Sequence, residues 1–72
     1  MNYKERVVRD PNILVGKPII KGTRIPVNLI LKKLAQNISI EEILKDFPRL
    51  TREDAQAAIL YAEELVEEQV PQ

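Results

Sequence analysis

The spacing of apolar residues divides this chain near Pro26. Before that residue, short β-branched runs are interrupted by Gly16, Pro18 and Gly22, which is typical of short extended segments joined by tight turns. After it, apolar residues recur at every third or fourth position, and this spacing predicts helices. The sequence therefore predicts a mainly α fold with a small β element. The predicted ranges are extended or β structure over residues 1–25 and helices over residues 26–36, 39–47 and 51–68.

One strand candidate stands out in the segment before Pro26. Residues 6–9 read Arg-Val-Val-Arg, which suits a short strand, and the Asp-Pro-Asn sequence at residues 10–12 favours a turn after it. A two-stranded hairpin is only marginally stable alone in water. We therefore expect the extended segments to pair with the helices or with a second copy of the chain.

The first predicted helix has a single apolar face and a recognisable residue at each end. Pro26 suits the first helical position, and Asn37 suits the end because Asn tolerates the left-handed conformation. Lys32 and Lys33 lie on the opposite, polar side. The apolar face consists of Val27, Ile30, Leu31, Leu34 and Ala35.

Capping residues mark the starts of the next two helices. Ser39 followed by Glu42 predicts a capping box, and Thr51 predicts the N-cap of the third helix. Pro48 ends the second helix because it disfavours a helical conformation in the residue before it. The two helices and their short connection have the proportions of a helix-turn-helix. The predicted apolar face of the third helix consists of Ala55, Ala58, Ile59, Ala62, Leu65 and Val66.

The composition excludes several classes of site. With 72 residues, the chain has room for a single domain over residues 1–72. It contains no His and no Cys, which removes Ser-His-Asp and Cys-His nucleophiles and every His or Cys metal site. A hard-cation site made of carboxylates remains open, and so do paired carboxylates as acid and base, although Glu63-Glu64 and Glu67-Glu68 fit a solvated helix face. We expect no enzyme activity, no cofactor and no metal.

The sequence also bears on location and assembly. No apolar run approaches the roughly 18 residues that a membrane span needs, and the first residues lack the apolar segment of a signal peptide. The absence of Cys fits a reducing compartment. A domain this small without disulfides or zinc gains stability from self-association. We therefore expect a cytoplasmic homodimer that does not bind membranes.

The formal net charge of zero conceals a division between the two halves. Residues 1–36 carry a net charge of +6, and residues 37–72 carry −6. One interpretation is that the halves present two electrostatic surfaces to different partners. The other is that the charges of the two halves pair with each other at the surface when the chain folds. The sequence leaves both open.

Basic residues near the two glycines are candidates for DNA binding. A phosphate-binding Walker loop is excluded because Pro18 lacks a backbone donor and Lys21 precedes Gly22. Ammonium, guanidinium and hydroxyl groups nevertheless fit phosphate oxygens, and Arg24 could bind a phosphate or a guanine edge with two hydrogen bonds. The alternative is a turn that directs the chain into the first helix while its charges stay solvated. The candidate DNA-binding residues are Lys17, Lys21, Gly22, Thr23, Arg24, Lys32 and Lys33.

The third helix is too acidic to approach DNA, which carries about one charge per 1.7 Å. It is instead a candidate for binding a protein partner, together with apolar residues that lie on polar faces of the helical wheel. The alternative is a solvated acidic face with ordinary exposed leucines. The candidate partner-binding residues are Leu29, Leu60, Tyr61, Glu63, Glu64, Glu67 and Glu68.

Several motifs together resemble a known family. Residues 16–27 read Gly-Lys-Pro-Ile-Ile-Lys-Gly-Thr-Arg-Ile-Pro-Val, with Asp-Pro at 10–11 and, further on, Ser-Ile-Glu-Glu-Ile-Leu at 39–44, Asp-Phe-Pro at 46–48 and Leu-Thr at 50–51. This pattern resembles the small prokaryotic family catalogued as domain of unknown function 433, which is often described as antitoxin-like. One departure is Asn37, where the family commonly has Gly.

The resemblance implies a homeodomain-like fold of three helices with a small β element, commonly dimeric. It also implies the antitoxin half of a toxin–antitoxin pair whose toxin is similar to PIN-domain ribonucleases. No catalytic residue is carried over. The function we expect is neutralisation of a PIN-like ribonuclease toxin, with operator DNA bound by a dimer. The alternative is a protein-interaction or scaffold module that does not bind DNA.

Overall fold

The computed structural model describes residues 3–69, which form three helices and a two-stranded antiparallel sheet. The predicted fold class is confirmed. The three helices begin and end within one residue of the ranges that the sequence predicts, and both strands lie in the predicted extended segment, in which residues 3–5 and 14–16 form 3-10 turns instead. The strands and helices are strand β1 (Val7–Arg9), strand β2 (Pro18–Ile20), helix α1 (Val27–Ala35), helix α2 (Ile40–Asp46) and helix α3 (Arg52–Glu68).

The sheet pairs the two strands within one chain. Val7 lies opposite Ile20 and Arg9 opposite Pro18, and an isolated bridge joins Ile19 to Pro26 on the other side of β2. Ile19 and Ile20 are both buried. The hairpin is therefore stabilised by packing against the helices, which a two-stranded sheet requires.

The core lies where the three helices meet β2. Ile20, Val27, Ile30 and Ile43 are fully buried there. Helix α3 contributes small residues to the same region, of which Ala58 belongs to the core cluster. Because alanine side chains are short, α3 packs closely against α1.

The capping residues act largely as the sequence predicts. The Ser39 hydroxyl accepts a hydrogen bond from the Glu42 amide at 3.2 Å, which is the first of the two bonds of a capping box. The complete box forms one helix later. There the Thr51 hydroxyl accepts from the Asp54 amide at 3.2 Å, and the Asp54 carboxylate accepts from the Thr51 amide at 3.0 Å. Asn37 adopts a φ of +65°, the left-handed conformation predicted for the end of α1.

The N-terminal segment lies along α3 and is bound to it by polar contacts. Arg6 forms an ion pair with Asp54 at 3.1 Å, and Arg9 donates a hydrogen bond to the Tyr61 hydroxyl at 2.7 Å. The Tyr3 hydroxyl donates to Glu64 at 2.6 Å, and its ring meets the Tyr61 ring edge-on. Some charges of the two halves therefore do pair on folding. The ion pair that shows this joins Arg6 to Asp54 and does not involve Lys21 or Arg24.

A tyrosine titration tests this packing of the N-terminal segment. The hydrogen bond to Glu64, with smaller effects of burial and nearby carboxylates, raises the pKa of Tyr3 from 10.0 to about 12. In a Tyr61→Phe variant, Tyr3 is the only tyrosine, so the ultraviolet absorbance of its phenolate gives this pKa directly. We expect a midpoint near pH 12, and one closer to 10.0 when Glu64→Gln is added.

The hydrogen bond between Tyr3 and Glu64 stabilises the fold over a defined pH range. Because the pKa is raised on folding, the stabilisation is complete below pH 10.0 and is lost as the pH rises towards 12. An unchanged titration curve after Glu64→Gln would show that this contact does not persist in solution.

One prediction about α3 is wrong. Ile59, Leu65 and Val66 were placed on its packing face, but they are 41%, 41% and 62% exposed. Ile59 directly follows the buried Ala58 and lies about 100° further round α3, outside the packed face. For Leu65 and Val66 the reason is length, since α3 has 17 residues against nine in α1 and seven in α2. Its C-terminal half extends beyond the helices that could cover it, so its helical periodicity continues where the core has ended.

Candidate partner-binding and nucleic-acid-binding surfaces

Gly22 and Thr23 form the tight turn that connects β2 to α1. Gly22 has a φ of +80°, which glycine adopts without strain. The Thr23 amide donates to the Ile20 carbonyl at 3.0 Å, and the Thr23 hydroxyl donates to the same carbonyl at 2.7 Å. That hydroxyl also accepts from the Ile25 amide at 3.0 Å. The candidate DNA-binding residues Gly22 and Thr23 therefore shape the turn. The Thr23 hydroxyl donates its proton to the Ile20 carbonyl and not to an external ligand.

The charged residues around this turn point to solvent. Lys21 and Arg24 are exposed, and among residues 3–69 no carboxylate lies within ion-pair distance of either. Arg49, in the connection between α2 and α3, donates to the Gly22 carbonyl at 3.4 Å. We call Lys21, Arg24 and Arg49 the basic turn.

Arg49 is the member of the basic turn that the sequence did not reveal. It lies in the acidic half of the chain, 27 residues from Gly22, and only the fold brings it to the turn. Its position directly after Pro48 was the available signal, because it placed a basic residue in a connection between helices.

The other predicted DNA-binding residues do not join the basic turn as a single cluster. Lys17 is exposed but precedes β2, and Lys21 follows it, so four extended residue steps, roughly 13 Å, separate the two along the chain. Lys32 is exposed on α1. Lys33 is half-buried, with its ammonium group 5.8 Å from the centre of the Phe47 ring. Lys33 therefore stabilises the contact between α1 and the end of α2.

The exposed half of α3 contains the second surface. Five of its residues line an open hollow of about 440 Å³ on one flank of the helix. Apolar side chains form its floor, and two carboxylates one turn apart form its rim. We call this set the α3 strip: Ile59, Ala62, Glu63, Val66 and Glu67.

The two rim carboxylates affect each other. Glu63 and Glu67 are four residues apart on the helix, so their side chains are neighbours. The negative charge of Glu67, with smaller contributions from burial and a hydrogen bond to Glu67, raises the pKa of Glu63 above its ordinary value. The strip therefore concentrates negative charge beside exposed apolar area.

The structure divides the predicted partner-binding residues. Glu63 and Glu67 belong to the α3 strip, whereas Glu64 and Tyr61 are half-buried and hydrogen-bonded to the N-terminal segment. Leu60 and Glu68 are exposed on α3 outside the strip, and Leu29 is half-buried on α1. Ile59 and Val66 complete the strip. The sequence did not assign them to a binding surface because their spacing matched a packing face.

A second hollow, of about 610 Å³, lies between the N-terminal segment and α3. It is lined by Glu5, Arg6, Lys21 and Asp54, which are two acids and two bases. Arg6 and Asp54 already bind each other there. Among the residues that the structure describes, no group of three or more carboxylates is arranged to hold a metal ion. No described helix has the length and apolar character to cross a membrane.

Comparison with known proteins assigns the chain to a family. A family model described as a protein of unknown function (DUF433) matches residues 7–62. The chain belongs to the DUF433 family. The matched residues include both strands, the basic turn and most of α3, so this DUF433 protein has the family's fold over most of its length.

Individual relatives agree with this assignment. A crystal structure of a DUF433 member from Anabaena variabilis superposes with a TM-score of 0.80 at 33% identity, covering 88% of this chain and 62% of the other. The uncharacterized protein y4eO of Sinorhizobium fredii is 38% identical over 60 residues, 83% of this chain but 27% of that protein. An uncharacterized protein of Archaeoglobus fulgidus is 67% identical over 24 residues, which is 33% of this chain and 67% of that protein. This chain thus spans about a quarter of the Sinorhizobium relative.

Proposed function

We propose that this DUF433 protein is an antitoxin-like protein that neutralises a PIN-like ribonuclease by binding to it. The observation that carries the proposal is the α3 strip, where exposed apolar side chains lie beside a pair of carboxylates. The antitoxin-like character of the family that the sequence resembles gives the partner class. The protein acts in the cytoplasm by binding and performs no catalysis of its own.

The strip suits the surface of a ribonuclease in two ways. A site that binds RNA phosphates is lined with basic side chains, so the rim carboxylates attract it and speed association. The apolar floor then supplies contact area that excludes water, which holds the complex together once it has formed. An antitoxin bound there would block access of RNA to the ribonuclease.

The test is a binding and inhibition assay with a purified PIN-like ribonuclease whose gene neighbours that of this protein. We expect the wild-type chain to inhibit cleavage of a single-stranded RNA. The Glu63→Gln, Glu67→Gln double variant should inhibit about fivefold more weakly, because exposed charges at an interface rim contribute modestly. Affinity from calorimetry should fall by the same factor.

A matched control separates the strip from general acidity. The Glu53→Gln, Glu68→Gln variant removes the same charge from the same helix at exposed positions outside the strip, and it should inhibit like the wild type. Equal inhibition by both double variants would argue against the strip. Full ribonuclease activity in the presence of excess wild-type protein would refute the proposed function.

A second function, the binding of operator DNA by a homodimer, is favoured by the basic turn. Lys21 and Arg24 are exposed without an ion pair among residues 3–69, and Arg49 adds a third positive group at the Gly22 carbonyl. Such groups bind phosphate oxygens, and two copies in a dimer would double the number of phosphate contacts. The other candidate is a scaffold module that does not bind DNA, and in that function these charges would have no role.

Gel-shift titrations on the promoter of the protein's own gene test the DNA function. The Lys21→Ala, Arg24→Ala variant should bind about tenfold more weakly, and its affinity should depend less steeply on salt because fewer counterions are released. Lys45→Ala serves as the control, since Lys45 is exposed on α2 and does not belong to the basic turn. Unchanged affinity and salt dependence in the double variant would leave the scaffold module as the better account.

A further inference from the structure

The α3 strip has the dimensions of a docking site for a short structural element. From Ile59 to Val66 the helix rises by about 10 Å, or two turns. All the residues that line the hollow come from α3 itself. Two of the apolar members, Ile59 and Val66, are among the most exposed large hydrophobic residues of the described chain. Such exposed apolar area is typical of a surface that a partner covers.

The backbone of the strip determines which kind of element can cover it. Inside α3, the amide groups of residues 59–67 and the carbonyl groups of residues 59–64 are already hydrogen-bonded along the helix. A strand docked there would face side chains only, and its own backbone groups on that side would lose their hydrogen bonds to water. A helix satisfies its own backbone groups, and its side chains can enter the shallow groove beside residues 59, 62 and 66.

Charge determines the chemistry of that helix. The carboxylates of Glu63 and Glu67 are one helical turn apart on the rim, and the charge of Glu67 disfavours that of Glu63. A cation placed between them would relieve this repulsion. We propose that the α3 strip binds a basic amphipathic helix of the partner protein, with apolar residues over Ile59 and Val66 and Lys or Arg beside Glu63 and Glu67. This inference rests on the proposed function, for which it names the part of the ribonuclease that is bound.

A second copy of this chain fits the strip less well. Pairing of two strips would bring four carboxylates to one interface. The basic face of α1 is also a poor match, because Lys33 lies over the Phe47 ring and Leu29 is already half-buried. A basic helix from another protein meets neither difficulty.

Synthetic peptides provide the probe. One peptide of about 20 residues carries Leu at helical spacing flanked by Lys, a length at which isolated helices form. The second has Glu in place of each Lys. Fluorescence anisotropy of the labelled peptides, titrated with the full chain, should show binding of the Lys peptide at least tenfold tighter than binding of the Glu peptide.

Variants of the protein show where the peptide binds. Glu63→Gln with Glu67→Gln, and separately Ile59→Ala with Val66→Ala, should each weaken binding of the Lys peptide about fivefold. These residues are exposed, so the changes leave the core intact, and circular dichroism checks the fold. The control pair Glu53→Gln with Glu68→Gln should have little effect.

The outcomes separate this inference from the proposed function. Equal binding of both peptides, or equal loss in the strip and control variants, would overturn the basic helix as occupant. So would concentration-dependent dimerisation in sedimentation experiments that the Ile59→Ala, Val66→Ala variant abolishes, since the strip would then bind a second copy. Inhibition of the ribonuclease without peptide binding would refute the inference alone. Peptide binding without inhibition of the ribonuclease would refute only the proposed function.

Discussion

Replacing Asp54 with Ala should lower the free energy of unfolding by about 2.5 kcal/mol. The Asp54 carboxylate accepts the Thr51 amide that completes the N-terminal cap of α3, and it also binds Arg6 at 3.1 Å. Its side chain is 10% exposed, whereas that of Arg6 is 39% exposed. Arg6 therefore regains water when its partner is removed, which keeps the cost below that of breaking a fully buried ion pair. Urea denaturation followed by circular dichroism measures the change, since the chain contains no Trp.

Two further variants divide this effect between the cap and the ion pair. Asp54→Asn keeps an acceptor for the Thr51 amide but loses the charge, so it should cost less than Asp54→Ala. Arg6→Ala should cost about 1 kcal/mol, and in combination with Asp54→Ala it should add little, because the two residues interact. Additive losses, or a cost below 0.5 kcal/mol for Asp54→Ala, would show that the N-terminal segment is not held on α3 through this carboxylate.

Replacing Val15 with Gly should raise the free energy of unfolding by about 1.5 kcal/mol, a stabilisation. Val15 lies between β1 and β2 in a left-handed conformation with φ +57° and ψ +39°, which is strained for a β-branched side chain. The side chain is 95% exposed, so its removal sacrifices almost no packing. Glycine adopts these angles without strain, and this gain exceeds its larger loss of backbone entropy on folding. The same urea experiment measures the change.

The control for Val15 is the same substitution at a site with ordinary backbone angles. Val66→Gly, at another exposed valine, should destabilise the protein by about 0.5 kcal/mol because it lies inside α3, where Gly is the poorer helix former. Opposite signs for the two substitutions would identify the backbone conformation as the cause. A loss of stability in Val15→Gly would contradict the strained conformation of that turn.

The elements that could be predicted from the sequence are those that local chemistry determines. Ser39 and Thr51 begin α2 and α3, and Asn37 ends α1, because each satisfies or tolerates a specific backbone arrangement at a helix end. Apolar periodicity likewise indicated Ile30 and Ala58 as core residues. The strands were less well defined, since three-residue strands leave too short a pattern to fix their partners.

The sequence could not show the features that depend on contacts between residues far apart in the chain. Periodicity alone places Ile59 and Val66 with Ala58, but only the packing of the other elements around α3 determines that Ala58 is buried and the other two are exposed. Arg49 meets Gly22 across 27 residues of sequence. The sequence also could not show which basic residues form ion pairs. Arg6 is paired with α3, whereas Arg24 is left without an ion pair among residues 3–69, although both belong to the basic half.

The central claim, that the α3 strip is the surface that binds the ribonuclease, is tested most directly by nuclear magnetic resonance. Amide signals of the ¹⁵N-labelled chain would be recorded before and after addition of the unlabelled ribonuclease. We predict that the largest changes in chemical shift cluster at residues 59–67. The signals of residues 21–24, which include Lys21 and Arg24 of the basic turn, should change little. Shifts concentrated at residues 21–24, with residues 59–67 unperturbed, would contradict the claim.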